Sequence, residues 1–275
     1  MTTNLHADRR APGRARGLVR FFWDLIFRVL RIIGRHAKNA YTIFGIFLLA
    51  GAAVAVAGTW SFAELAGHVR SGKTQRFDDA VMTWIGAHQV PWIQAFMLEM
   101  TALATSSVVF TIVGIAGTFL WLNKHKHSAI LLMAATFGGL LLNNLLKIGF
   151  NRPRPQIFEW GTRAASSSFP SGHAMSAAVV YFTVAYLVAR LQQRHIARIA
   201  TMAIAAIIVV MISVSRMYLG VHYPSDVLAG VTIGLAWAAF CMAILEAAQL
   251  YAKRNAPEML KAEHPAPKPI LKPTA

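Results

Sequence analysis

Six stretches of this sequence approach the roughly 20 residues that a helix needs to cross a bilayer, and none contains a charged side chain: residues 41–60, 101–122, 128–146, 174–189, 199–215 and 227–245. No other feature limits the fold as much. Inside lipid a chain must satisfy its own backbone polar groups, which leaves helices and closed barrels. The runs do not alternate apolar with polar residues, which excludes barrel strands. The expected fold is all-α, a polytopic bundle of six transmembrane helices. A content of 56% hydrophobic and 14% charged residues suits a membrane protein and not a soluble domain.

The formal net charge of +16 raises the question of nucleic acid, and the placement of the cations answers it. Arg9, Arg10, Arg14, Arg16, Arg20, Arg28, Arg31, Arg35 and Lys38 precede the first run. Lys124 and Lys126 separate the second from the third, Arg190, Arg194 and Arg198 the fourth from the fifth, and Lys253, Arg254, Lys261, Lys268 and Lys272 follow the last. These segments all fall on one side of a six-span topology, and the positive-inside rule makes that side, with both termini, cytoplasmic. No aromatic or groove-reading pattern accompanies the charge, so no nucleic-acid partner is expected.

Three regions follow. Residues 1–40 form a basic N-terminal tail, within which Arg20, Asp24, Arg28, Arg31 and Arg35 draw a polar stripe along a segment otherwise rich in Phe21, Phe22, Trp23 and Phe27. This reads as an amphipathic helix lying in the interface, its cations on anionic lipid head groups. Residues 41–250 are the membrane domain, and 251–275 read as a disordered basic, proline-rich tail. The long outer connection, 61–100, contains a helical pattern through Phe77, Val81, Trp84 and Ile85, expected to rest on the membrane or cover the bundle. Cys241, the single cysteine, reads as a packing residue.

The same topology brings four helix ends to the outer face, and the polar residues gather there. They are "KIGFNRPRP" from Lys147 to Pro155, "PSGH" from Pro170 to His173 and "SRMYLGVHYPSD" from Ser215 to Asp226. Singly, each has a plain structural reading: a snorkelling lysine, a capping histidine. Together they set Lys147, Arg154 and Arg216 on the side that cations normally avoid, which calls for an anionic occupant. Ser171 and Gly172 at a helix start offer free backbone N–H groups and room for an oxyanion, a cradle for phosphate. His222 and Asp226 are four apart around Pro224, which opens the last helix, so the carboxylate can orient the imidazole. His222 then serves as attacking base or nucleophile, and His173 as general acid to the leaving oxygen.

These three segments resemble the signature of the type-2 phosphatidic acid phosphatase, or lipid phosphate phosphatase, superfamily. Lys147 with Arg154 and Pro155, then Pro170, Ser171, Gly172 and His173, then Ser215, Arg216, His222 and Asp226 match its pattern without departure. The likeness covers roughly residues 60 to 250. It implies a membrane-integral, metal-independent phosphatase that passes through a phosphohistidine at His222, with an outward-facing site in a bacterial cytoplasmic membrane. Undecaprenyl diphosphate and phosphatidylglycerophosphate are the favoured substrates. A lipid phosphotransferase using the same site, or a silent lipid-binding protein, are the alternatives. No cofactor or metal is expected: the histidines show no carboxylate-supported ligand spacing near these motifs. Arg152 lies outside the pattern and is expected to pair with Glu159 or a lipid head group rather than a second phosphate. Asn143 and Asn144 read as hydrogen-bonding residues between helices.

Overall fold

The computed structural model describes residues 40–164 and 166–263, and side chains over 48–164 and 166–249. Every regular element among them is a helix: α1 Ala40–Arg70, α2 Gln75–Ala87, α3 Pro91–Ala102, α4 Ser106–Leu122, α5 Lys126–Phe150, α6 Gly172–Leu191, α7 His195–Tyr218 and α8 Pro224–Glu263. The all-α expectation holds. The site belongs wholly to the unit that begins at Leu48. The amphipathic helix expected over 17–40 lies outside the described residues up to 39, as does the tail from 264. Residues 251–263, expected as disordered tail, are helical and continue α8.

Five helices among the described residues are long and apolar enough to cross a membrane, and α3 with α4, bent by 45°, makes a sixth when the pair is counted as one span. The second run therefore differs from the uniform span expected over 101–122. Its break falls at Leu103–Thr105, where local polar groups replace helical bonds. Thr105 Oγ1 donates to the Ala102 carbonyl at 2.7 Å, and Tyr181 on α6 donates to the Leu103 carbonyl at 2.9 Å. Such substitutes are what a broken helix requires at membrane depth. The outward faces are apolar, as lipid demands: Ile115, Ile148, Ile196, Ile199 and Leu145 are all exposed.

Helix α6 packs against α4, α5, α7 and α8. Its contact with α8 is close because Gly230 and Gly234 face it. A Cβ at Gly230 would stand 2.5 Å from the Ser171 carbonyl oxygen, and one at Gly234 2.8 Å from that of Met175. Two glycines one turn apart let backbones approach in this way. The approach aligns the start of α6 with the start of α8, where the Ser171 N–H donates to the Asp226 carbonyl at 3.0 Å.

The loop between α5 and α6 is folded back over this end. Asn151 ends α5 in the left-handed region (φ 41°), a conformation asparagine tolerates. Beyond it, the Arg152 N–H donates to Ser167 Oγ at 3.0 Å and the Ser168 N–H to the Arg152 carbonyl at 2.8 Å. Phe169 is fully buried between Phe62 and Phe150, with ring centroids 5.8 and 4.7 Å away. The chain thus enters "PSGH" from an anchored position. Helix α2 covers the bundle, although with a different face from the one expected. Asp78, Met82 and Ile85 are buried, whereas Phe77 and Trp84 are exposed.

Candidate active site

A cavity of about 710 Å³ opens at the end where α5, α6, α7 and α8 meet, and Lys147, Arg154, Gly172, His173, Arg216 and His222 line it. Six of the eight expected site residues therefore share one space. The other two stand behind it: Ser171 and Asp226 are fully buried. An apolar groove of about 660 Å³ between α4 and α5, lined by residues such as Val113, Trp121 and Phe137, offers no charged or titratable group.

Each cation is held in place. Lys147 Nζ, at the last turn of α5, donates to Ser166 Oγ at 3.0 Å and the Ser167 carbonyl at 2.9 Å. Arg154 donates through Nε to the Ser166 carbonyl at 2.9 Å and through Nη1 to the Val221 carbonyl at 2.7 Å. Arg216, only 3% exposed, donates through Nη1 to Thr101 Oγ1 at 2.7 Å, while its Nε has no partner among the described residues. The break in the second span is what delivers Thr101 to that guanidinium.

Ser171 caps α6 with extended backbone (φ −68°, ψ 113°), but its side chain makes no capping bond and its N–H is taken by Asp226. The donors left at this helix start belong to the first turn beyond it, from Gly172. The glycine is required by its neighbours: a Cβ there would lie 3.0 Å from Asn143 Nδ2 and 3.6 Å from Lys147 Cε. Asn143 does not make the interhelical bond expected of it. Its Oδ1 is buried without a partner among the described residues, beside the cavity that the residue lines, and Asn144 lines the same cavity.

His222 is 2% exposed. Its Nε2 is 3.2 Å from Arg154 Nη1, and its Nδ1 is 3.6 Å from Asp226 Oδ2. The second distance exceeds a hydrogen bond, as is common before a ligand tightens such a pair. Burial pushes the imidazole down to about 4; Asp226 opposes this, while Arg154 and Arg216 reinforce it. The ring is therefore neutral near pH 7. A bound phosphate would offset the cations and raise the affinity for a proton.

Asp226 is held from several directions. Oδ1 accepts from Arg152 Nη1 at 2.6 Å, and Oδ2 accepts from the Ser168 hydroxyl and from the Tyr223 N–H at 2.9 Å. The expected Arg152–Glu159 pair is not formed. Arg152 instead bridges Asp226 and Asp78, whose Oδ2 lies 2.8 Å from Nη2, and it rests 4.4 Å from the Tyr223 ring centroid. Burial disfavours the guanidinium charge, but Asp226 and Asp78 outweigh it and hold Arg152 above its ordinary value. Asp78, Thr101 and Ser168 were not among the expected site residues. A signal for Asp78 existed: it shares a helical face with Met82 and Ile85, and an acid on an apolar face needs a partner.

Comparison with known proteins agrees with this arrangement. The PAP2 superfamily model matches residues 128–250. Phosphatidylglycerophosphatase B of Bacillus subtilis is 34% identical over 175 residues, which span 63% of this chain and 86% of that protein. Lipid A 1-phosphatase of Rhizobium johnstonii is 34% identical over 126 residues, 42% of this chain and 47% of that one. The crystal structure of a transmembrane PAP2-type phosphatidylglycerolphosphate phosphatase from Bacillus subtilis superposes with a TM-score of 0.65 at 30% identity, over 69% of this chain and 94% of that one.

Proposed function

This chain belongs to the PAP2 superfamily of membrane phosphatases, and from that premise we propose that it hydrolyses a lipid phosphate or diphosphate through a phosphohistidine at His222. One observation carries the reading: Lys147, Arg154 and Arg216, two histidines and a helix start converge on a single cavity at one end of the bundle. Lys147, Arg154 and Arg216 take the phosphoryl oxygens, with the first turn of α6 adding backbone donors. His222 attacks through Nε2, since Nδ1 faces Asp226. A bond forms from Nε2 to phosphorus, the bond from phosphorus to the lipid oxygen breaks, and His173 gives that oxygen a proton. Water then attacks the phosphohistidine and gives a proton back to His173, which frees inorganic phosphate and restores His222.

The charge of the transition state is met in this scheme by side chains. Among the described residues no three His, Cys, Asp or Glu gather as ligands for one ion. Phosphatidylglycerophosphate is the favoured substrate, supported by the relative that this chain matches over most of its length. Undecaprenyl diphosphate and the 1-phosphate of lipid A are the competing donors. The distribution of cations supports both termini inside and the site on the outer face, and the likeness to a Bacillus subtilis relative supports a bacterial cytoplasmic membrane. Anionic lipids are the partners read for the N-terminal segment.

The deciding experiment measures phosphate release by the purified chain in EDTA from each of these lipids and from phosphatidic acid, with His222→Ala beside it. Release that the variant lacks, and a labelled phosphoenzyme that survives base but is lost in acid, as the N–P bond of phosphohistidine is, supports the reading. Transfer of label to a second lipid instead of water would identify a phosphotransferase. Activity lost in EDTA and restored by zinc or magnesium would overturn the metal-independent scheme.

A further inference from the structure

Asp78 lies on α2, outside the three signature segments, and is nevertheless fully buried against them. Its Oδ1 accepts the Ser225 N–H at 3.0 Å, and its Oδ2 accepts the Ser225 hydroxyl at 2.6 Å and Arg152 Nη2 at 2.8 Å. Gln75, one turn earlier on the same helix, accepts a second bond from Nη2 at 3.1 Å. The other terminal nitrogen, Nη1, reaches Ser225 Oγ at 2.8 Å and Asp226 Oδ1 at 2.6 Å. One guanidinium therefore joins two buried carboxylates, and the second of these faces His222.

We infer that Asp78 is a positioning residue of the phosphatase site, acting through Arg152 on Asp226 and thereby on His222. The inference rests on the reading of His222 as nucleophile. A tie between α2 and the bundle needs no charge, because Met82 and Ile85 already pack beside Tyr223. Removing ions from water costs several kcal/mol each even after relaxation, so a buried acid, base, acid chain is a poor device for holding a helix down. It is a good device for fixing a carboxylate. With Arg152 shared between two acids, the group retains a net negative charge beside Nδ1 of His222. Lining the same cavity are Lys147 from α5, His173 from α6, Arg216 from α7 and Arg154 from the loop, and of these Arg154 and Arg216 disfavour positive charge on the imidazole.

Neutralising Asp78 changes that balance in one direction. Arg152 would give its whole field to Asp226, which would then stabilise a positive imidazole less. The attacking nitrogen becomes less basic, and the phosphorylated ring, which carries positive charge, becomes harder to form. Binding of the phosphate by Lys147, Arg154 and Arg216 is left in place.

The test uses the full chain in detergent or lipid vesicles and whichever lipid phosphate the wild type turns over fastest. Asp78→Asn keeps the shape and an acceptor for Ser225 while removing the charge. It should lower kcat about tenfold or more with KM within about twofold, and move the acid limb of kcat/KM to lower pH. Adding Asp78→Asn to Arg152→Gln should cost nothing more, since both act along one path. Equal kcat in wild type and Asp78→Asn, or losses that multiply in the double variant, overturn the inference. Should Asp78→Asn fail to fold, Asp78→Ser removes the same charge with a smaller polar side chain, and an unchanged kcat there is equally fatal. A wild type that releases no phosphate overturns the phosphatase reading as well; an active wild type with an equally active Asp78→Asn overturns this inference alone.

Discussion

Arg154 Nη1 lies 3.2 Å from His222 Nε2, so the guanidinium and the cavity-facing nitrogen of the imidazole are fixed to the same point. The same Nη1 is held by the Val221 carbonyl at 2.7 Å, next to His222 in the chain, which keeps both groups in register. The proposed nucleophile and the proposed phosphate-binding cation are thus positioned by one short segment.

Arg154→Lys should therefore be a severe change despite keeping the charge. A lysine cannot serve the Ser166 and Val221 carbonyls and still present a planar donor beside Nε2. Loss of one preorganised donor of this kind lowers kcat by about 100-fold. Steady-state phosphate release measures it, and a variant within about threefold of wild type would show that point charge suffices.

The neutral, buried imidazole sets a pH dependence. His222 is pushed down from its ordinary 6.5 to about 4, so the folded protein binds fewer protons than the unfolded chain between these values. Stability carried by this group is present above pH 6.5 and is lost as pH falls through about 4. The nucleophile follows the same course, and the acid limb of kcat/KM attributable to His222 should fall near 4, not near 6.5. A pH profile with a non-titrating buffer series checks it; a limb near 6.5 that Asp226→Asn displaces would contradict the described environment.

Thr101→Val tests the broken span. The change keeps volume but removes the acceptor of Arg216 Nη1. A buried donor left unpaired costs about 1–3 kcal/mol, and here it should appear as weaker phosphate binding: a raised KM, and a raised inhibition constant for inorganic phosphate. Unchanged constants would mean that Arg216 is placed by its own helix alone.

Gly230→Ala tests the approach of α6 to α8. Its Cβ would stand 2.5 Å from a backbone oxygen, that of Ser171, which cannot move without carrying the start of α6 with it. Overpacking of this kind costs about 1–3 kcal/mol, visible as a lower Tm and reduced kcat. Gly114→Ala is the control, because a Cβ there meets nothing within 4 Å. Equal effects of the two would remove the argument from close packing.

Much of this arrangement is legible in the sequence. Lys147, Arg154, Gly172, His173, Arg216 and His222 were singled out from short motifs at the ends of apolar runs, and they do line one cavity. Arg152 was misread, because its partners Asp78 and Asp226 each lie 74 residues away and no local pattern announces such a pairing. Asn143 was misread for a related reason: whether an amide bonds a neighbour or faces a cavity depends on which helix comes against it.

The sequence alone determined that the chain is a helical membrane protein with a polar, cationic end. Those properties follow from local quantities: the length of apolar runs, the need to satisfy backbone groups within each helix, and the side on which charge accumulates. Only the tertiary structure decided how that end is organised. It bent the second span to bring Thr101 to Arg216, let α6 and α8 approach through Gly230 and Gly234, and buried Asp78 against Arg152. These are contacts between distant segments, and their energies depend on the packing of the whole bundle, not on any window of the chain.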